Sequence, residues 1–163
     1  ATNGTTALDF RTSNGVANQT KPTIYLSTAG NLSYTTAGVN RITQSSIIAG
    51  QWYHIAVVKN SGSTKMYVNG TANATTYTDA NDYGTSSQLS IGTVGDSPGY
   101  TGTWMNGYIS DIRVVVGSAV YTSNFTPTTT PLTAIANTTL LLNSKSSGVL
   151  DYTGQHEIGR AHV

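Results

Sequence analysis

The sequence predicts a single all-β domain folded as a sandwich, and three observations carry that prediction. Thr, Ser, Asn, Gly and Tyr dominate the 163 residues while Glu occurs once, so strong helix formers are scarce and strand formers abundant. Short apolar alternations recur between turn signals rich in Gly, Asn and Pro, the pattern of a sandwich or jelly roll. Cys is absent, so the core must hold by packing alone, which a chain of this length can do.

The elements follow in order. Ala7 to Arg11 reads as a strand, and so does TIYLS at Thr23 to Ser27. Ala29-Gly30-Asn31 turns the latter into LSYTT, residues 32 to 36, and Asn40 to Gln44 reads as a short or edge strand. Trp52 to Lys59 is the strongest strand signal. It turns through Asn60-Ser61-Gly62-Ser63 into Lys65 to Val68, which ends at Asn69-Gly70, a pair suited to turns with positive φ. Residues 71 to 87 read as a polar loop, Gln88 to Thr93 as a strand, and Val94 to Thr103 as a Gly-rich loop. Trp104 to Val116 reads as one long strand, although Ile109 is out of phase with Ile112 and Val114, which a bulge or burial on both faces would reconcile. Tyr121 to Pro131 reads as an extended Thr/Pro-rich segment and Thr139 to Asn143 as the last clear strand.

Charged residues make up 9% of the chain and the net charge is +1, against about 25% charged in an average domain. No Lys or Arg cluster exists to hold nucleic acid or an anionic membrane. No stretch approaches the roughly 20 apolar residues of a membrane span. The chain opens at ATNGTT without Met or an apolar leader, as expected of a fragment or a processed chain. The closing EIGRAHV departs from the upstream vocabulary and is similar to one frame of a common sequencing adapter. The domain is therefore expected over residues 1–156, with 157–163 a non-native tail outside the functional argument.

The residues argue against catalysis. Glycoside hydrolysis needs paired carboxylates, but no Glu precedes the tail and no strand carries two Asp at i, i+2. His54 lacks the Ser/Asp companions of a triad, and is read as a structural residue bonded to a neighbouring strand or loop. Tyr77, Tyr83 and Tyr100 lie in the polar loops with Asp79, Asp82 and Asp96. Tyr rings can stack on sugar faces while Asp and Asn bond hydroxyls, so these six are the candidate ligand-binding residues. The other reading has the Tyr rings only covering loop and sheet surfaces and the Asp side chains capping turns. Trp52, Trp104 and Tyr67 are expected to fill the core. Asp111 and Arg113, at i and i+2, are expected on one strand face.

Three stretches together resemble laminin-G-like domains of the concanavalin A-like lectin/glucanase superfamily. They are the hairpin QWYHIAVVKNSGSTKMYVNGT, the strand QLSIG, and MNGYISDIRVVVG, in the family's order and spacing. AVYTSNFTPTTTPLTA and TTLLLNSKSSGVLDYTG resemble the extension of such domains in bacteriophage structural proteins. The resemblance implies a jelly roll of two antiparallel sheets over roughly residues 7 to 155. The family's aromatic-rich opening segment does not precede LDFR, so missing N-terminal strands are expected. It also implies a framework role for Asp111 and Arg113, and a calcium ion at the rim held by Asp79, Asp82 and Asp96 with backbone carbonyls. The function implied is a non-enzymatic carbohydrate-binding or adhesion module of a phage tail fibre or virion surface, with a cell-surface glycan and a homo-oligomer or neighbouring virion protein as partners. The expected location is the virion or extracellular surface. A second reading is a purely structural assembly domain of a phage or bacterial surface protein with no sugar ligand, and a third is a secreted bacterial adhesin module.

Overall fold

The computed structural model describes residues 4–11, 20–83, 89–94, 104–145 and 148–151. Eleven strands run through them: β1 (Thr5–Asp9), β2 (Thr23–Leu26), β3 (Leu32–Thr36), β4 (Val39–Gln44), β5 (Ile55–Asn60), β6 (Ser63–Val68), β7 (Thr71–Thr78), β8 (Ser90–Ile91), β9 (Ile112–Val115), β10 (Thr138–Lys145) and β11 (Gly148–Asp151). No helix occurs among the described residues, and so none long and apolar enough to cross a membrane.

The strands form a five-stranded sheet in the order β4-β3-β2-β1-β8 and two three-stranded sheets, β5-β6-β7 and β11-β10-β9. All pairs are antiparallel. Turn chemistry sets the registers. Ala37-Gly38, Ser61-Gly62 and Asn69-Gly70 each join two strands with only two residues, and both residues of each pair have positive φ. That is the hairpin turn whose twist matches the flanking strands.

The first two sheets pack face to face as the predicted sandwich. Ile24, Leu32, Tyr34 and Ile42 from the five-stranded sheet meet Met66 of β6, with Ile55, Val57, Val68 and Tyr77 packed around them. A bulge in the β6–β7 pairing frees Asn73, whose amide donates to the Thr43 carbonyl at 3.0 Å and to Gln44 Oε1 at 3.0 Å. One irregular residue thus stitches β7 to β4 across the layers.

The inner strand β6 is covered on both sides. Thr64 and Met66 face the sandwich core, and Tyr67, on the opposite face, is equally buried. Residues 121 to 127 cover it as a strap. The Phe125 amide donates to the Gly70 carbonyl at 2.9 Å, Asn124 Oδ1 accepts from the Ala72 amide, and the Phe125 ring lies 5.6 Å from that of Tyr67. Tyr121 stacks on Phe125 with centroids 3.6 Å apart.

Three expectations require correction here. The polar stretch after Gly70 is not all loop, because Thr71–Thr78 is an eight-residue strand. Conversely, the long strand from Trp104 shrinks to Ile112–Val115. Asp111 adopts φ 53, a left-handed conformation that interrupts a strand, so it does not share a strand face with Arg113. Strand β11 was also absent from the sequence reading.

Candidate functional site

The rim residues divide between an internal network and the surface. Asp79 follows β7, and Gly62 accepts its amide at 2.7 Å, which draws the carboxylate under the sandwich. It is completely buried. Oδ2 accepts from Thr64 Oγ1 at 2.8 Å and from the Tyr83 hydroxyl at 2.5 Å. The Tyr34 hydroxyl stands 3.4 Å from Oδ2 and 2.8 Å from the Tyr83 oxygen. With one proton on each hydroxyl, the shortest contacts assign Tyr83 as donor to Asp79 and Tyr34 as donor to Tyr83. Oδ1 accepts from the Asn81 amide at 3.2 Å and from its side-chain Nδ2 at 2.9 Å, and Lys59 Nζ lies 3.6 Å away. A carboxylate offers about four lone-pair sites, and these donors occupy them.

Electrostatics follow from that enclosure. Burial pushes the Asp79 carboxyl upward, but the hydrogen bonds from Tyr83, Thr64 and Asn81 outweigh it and hold the group below its ordinary value. Burial, with the bond to Asp79, pushes the Tyr83 phenol up to about 12. Burial and the Tyr83 contact push Tyr34 up as well. The sign for Tyr83 is that of a raised group: its contribution is present below about pH 10 and lost as pH rises through about 12. The stability advantage of the wild type over Tyr83→Phe should therefore shrink between those values. Urea unfolding at several alkaline pH values measures it, and a constant difference would rule out the network.

The other rim residues lie around this centre. Tyr77 is half-buried beneath the Arg41 guanidinium, 4.9 Å from its ring centroid, and its hydroxyl accepts from Asn81 Nδ2 at 3.3 Å. Lys59 Nζ sits 4.6 Å over the Tyr83 ring and donates to the Asn81 carbonyl. Asp82 is exposed. Asp96 and Tyr100 lie outside the described residues. Among the described residues no three acidic, His or Cys side chains gather into a group able to hold a metal ion. A second enclosed carboxylate, Asp9, receives Arg11 through two bonds of 2.8 and 2.7 Å.

The residues read as framework fall into two groups. Tyr67 is fully buried. The backbone of His54 donates to Asn69 Oδ1 at 2.9 Å and accepts from the Asn69 amide at 2.8 Å. Its ring stands edge-on to Tyr121 and Phe125, with Nδ1 buried and without a hydrogen-bond partner among the described residues. Burial, helped by the Arg113 charge, pushes its pKa down. Arg113 donates to the Thr133 carbonyl at 3.0 Å, and Asp111 Oδ2 accepts from the Ser110 hydroxyl at 2.9 Å.

Trp52 and Trp104 do not fill the core; they are 69% and 64% exposed. Strand β5 starts only at Ile55, so Trp52 belongs to the preceding loop. Trp104 belongs to the segment that Asp111 separates from β9. Tyr108, which the sequence reading did not single out, is 84% exposed. Its ring lies 6.5 Å from that of Trp52 at 34°.

Geometry of this kind defines an all-β sandwich of antiparallel layers, with the carboxylates of Asp9 and Asp79 tied internally and large aromatic side chains displayed on loops. The chain belongs to the Concanavalin A-like lectin/glucanases superfamily, whose family description of laminin-G type matches residues 1–119. Comparison with curated proteins and with solved structures returns no match.

Proposed function

We propose that this domain is a non-enzymatic carbohydrate-binding and adhesion module that recognises a neutral glycan by shallow contacts from its loops. One observation carries the reading. Among the described residues the large rings most exposed, Trp52, Trp104 and Tyr108, all lie in connecting segments outside the strands. Loops on a rigid scaffold are where recognition residues concentrate. Membership of a family that includes lectins agrees with this. The glucanase alternative lacks support from the carboxylates, since Asp9 and Asp79 are enclosed and hydrogen-bonded and Glu is absent from the described residues. The phage tail-fibre or virion setting rests on the resemblance of residues 119–134 and 138–154. There, weak single-site binding would be amplified by display on a trimer or array.

The test is a glycan array probed with the full chain, run with calcium and with chelator, and followed by calorimetry on any hit. Saturable binding to a defined sugar is the expected result. Binding that disappears with chelator would add a rim calcium ion, with Asp82 and Asp96 as its acidic ligands. Silence across the array would overturn the reading in favour of an assembly domain that binds protein neighbours only.

A further inference from the structure

We infer that Trp52 and Tyr108 form a stacking site for consecutive uncharged pyranose units of a linear glycan. This deepens the carbohydrate-binding reading and rests on it. Leaving a Trp and a Tyr side by side in water forfeits the large apolar burial that such rings otherwise supply. Here the backbone of the two segments that carry them is hydrogen-bonded to the rest of the domain.

On one side, the Ile47 amide donates to the Gly30 carbonyl at 2.9 Å, and the Tyr53 hydroxyl accepts from the Ile48 amide at 3.0 Å. The same hydroxyl donates to Gln51 Oε1 at 3.1 Å, and His54 is locked to Asn69. On the other side, the Met105 amide donates to the Gly92 carbonyl at 2.8 Å, and Asp111 closes the segment. With the neighbouring backbone tied in this way, binding has to order only the two ring side chains and not the loops that carry them, which lowers its cost.

The geometry selects the ligand. Tyr108 is too exposed to lie beneath Trp52, so the two rings, 6.5 Å apart and tilted by 34°, form a twisted surface and not a closed sandwich. A twisted pair of rings suits successive sugar units that turn along a chain. Exposed amides flank the rings at Gln51 and Asn106, and they can bond hydroxyls. Residues 45–53 and 104–110 contain no charged side chain. Nothing in them would recognise a carboxylate or sulfate group, which calls for Arg or Lys. The ligand class is thus a neutral oligosaccharide. Sialylated and sulfated glycans are disfavoured.

The test titrates the full chain with neutral oligosaccharides of glucose, mannose and N-acetylglucosamine, from monosaccharide to pentasaccharide, and with a sulfated counterpart. Tryptophan fluorescence and calorimetry are the readouts. The expected result is binding that strengthens with chain length, and falls on the order of tenfold in Trp52→Ala and in Tyr108→Ala. Trp52→Tyr should keep most of the affinity, and Val116→Ala, an exposed apolar residue outside both segments, should bind as the wild type. Because the substituted rings are exposed, melting curves should not change. If neutral glycans bind but both Ala variants bind equally well, this site is overturned while the carbohydrate-binding reading stands. If no glycan binds, both fall. Fluorescence that acrylamide cannot quench would show Trp52 covered by protein, and that also overturns the site.

Discussion

Gly70→Ala should unfold this domain far more readily than the same added methyl group at Gly50. Gly70 has φ +79, and a Cβ there would stand 1.8 Å from the Phe125 carbonyl oxygen, 2.9 Å from its carbon and 3.0 Å from Pro127 Cδ. The obstacle is backbone, so no rotamer change relieves it. The Phe125 amide simultaneously donates to the Gly70 carbonyl, which ties strap and turn together. An alanine must therefore push the strap away from β6, separating Phe125 from Tyr67 and His54. A left-handed conformation costs an ordinary residue about 1–2 kcal/mol, and forced overpacking adds about 1–3 kcal/mol. The sum is roughly 2–5 kcal/mol, a fall in melting temperature on the order of 10 °C for a domain of this size.

Gly50→Ala supplies the control. Gly50 has φ +80 but nothing within 4 Å of the added Cβ, so only the conformational cost applies. Thermal melts followed by circular dichroism should separate the two variants clearly. Equal shifts would show that the strap does not sit on the turn.

The hairpins were readable because their information is local. Ser61-Gly62 and Asn69-Gly70 announce their turns, and the alternation from Ile55 to Val68 fixes which side chains point inward. Strand β7 was missed because TANATTYT has no continuous apolar face. It is held by its backbone ladder to β6, by Tyr77 and by the reach of Asn73 to β4. The stretch from Trp104 failed in the opposite way. Its apolar residues imitate a buried strand, but the left-handed Asp111 holds back the start of β9 to Ile112 and leaves Trp104 and Tyr108 outside it. Side-chain type alone does not say whether a ring faces core or solvent, so the exposed pair was invisible in sequence. Nor could sequence show that Asp79, set in a polar stretch, would meet Thr64 fifteen positions away and Tyr34 forty-five away. Long-range partners decide whether an acid caps a turn, binds a ligand or ties the core.

That role of Asp79 gives the second large expectation. In Asp79→Ala the donors on Thr64, Tyr83 and Asn81 lose their acceptor inside the protein, and disruption of a buried charged cluster costs about 3–5 kcal/mol. Asp79→Asn should cost less, about 1–3 kcal/mol. The new amide nitrogen can take the Oδ2 position, where the Thr64 and Tyr83 hydroxyls can rotate to accept from it. The remaining oxygen still accepts from Asn81, whose N–H groups cannot change role. The reverse order, Asn worse than Ala, would contradict this assignment of donors.

The pH dependence has a definite sign. The folded state holds the Asp79 carboxyl below its ordinary value, so folding favours the ionised form. Its contribution is complete above the unfolded carboxylate range near pH 4 and is lost as pH falls through the lower folded value. The wild type should therefore lose its advantage over Asp79→Asn on acidification below about pH 4, and keep it undiminished from there to neutrality. Paired urea melts across that range measure the difference. An advantage that grows in acid would place the proton on Asp79 in the folded state and reverse the hydrogen-bond scheme at the centre of the sandwich.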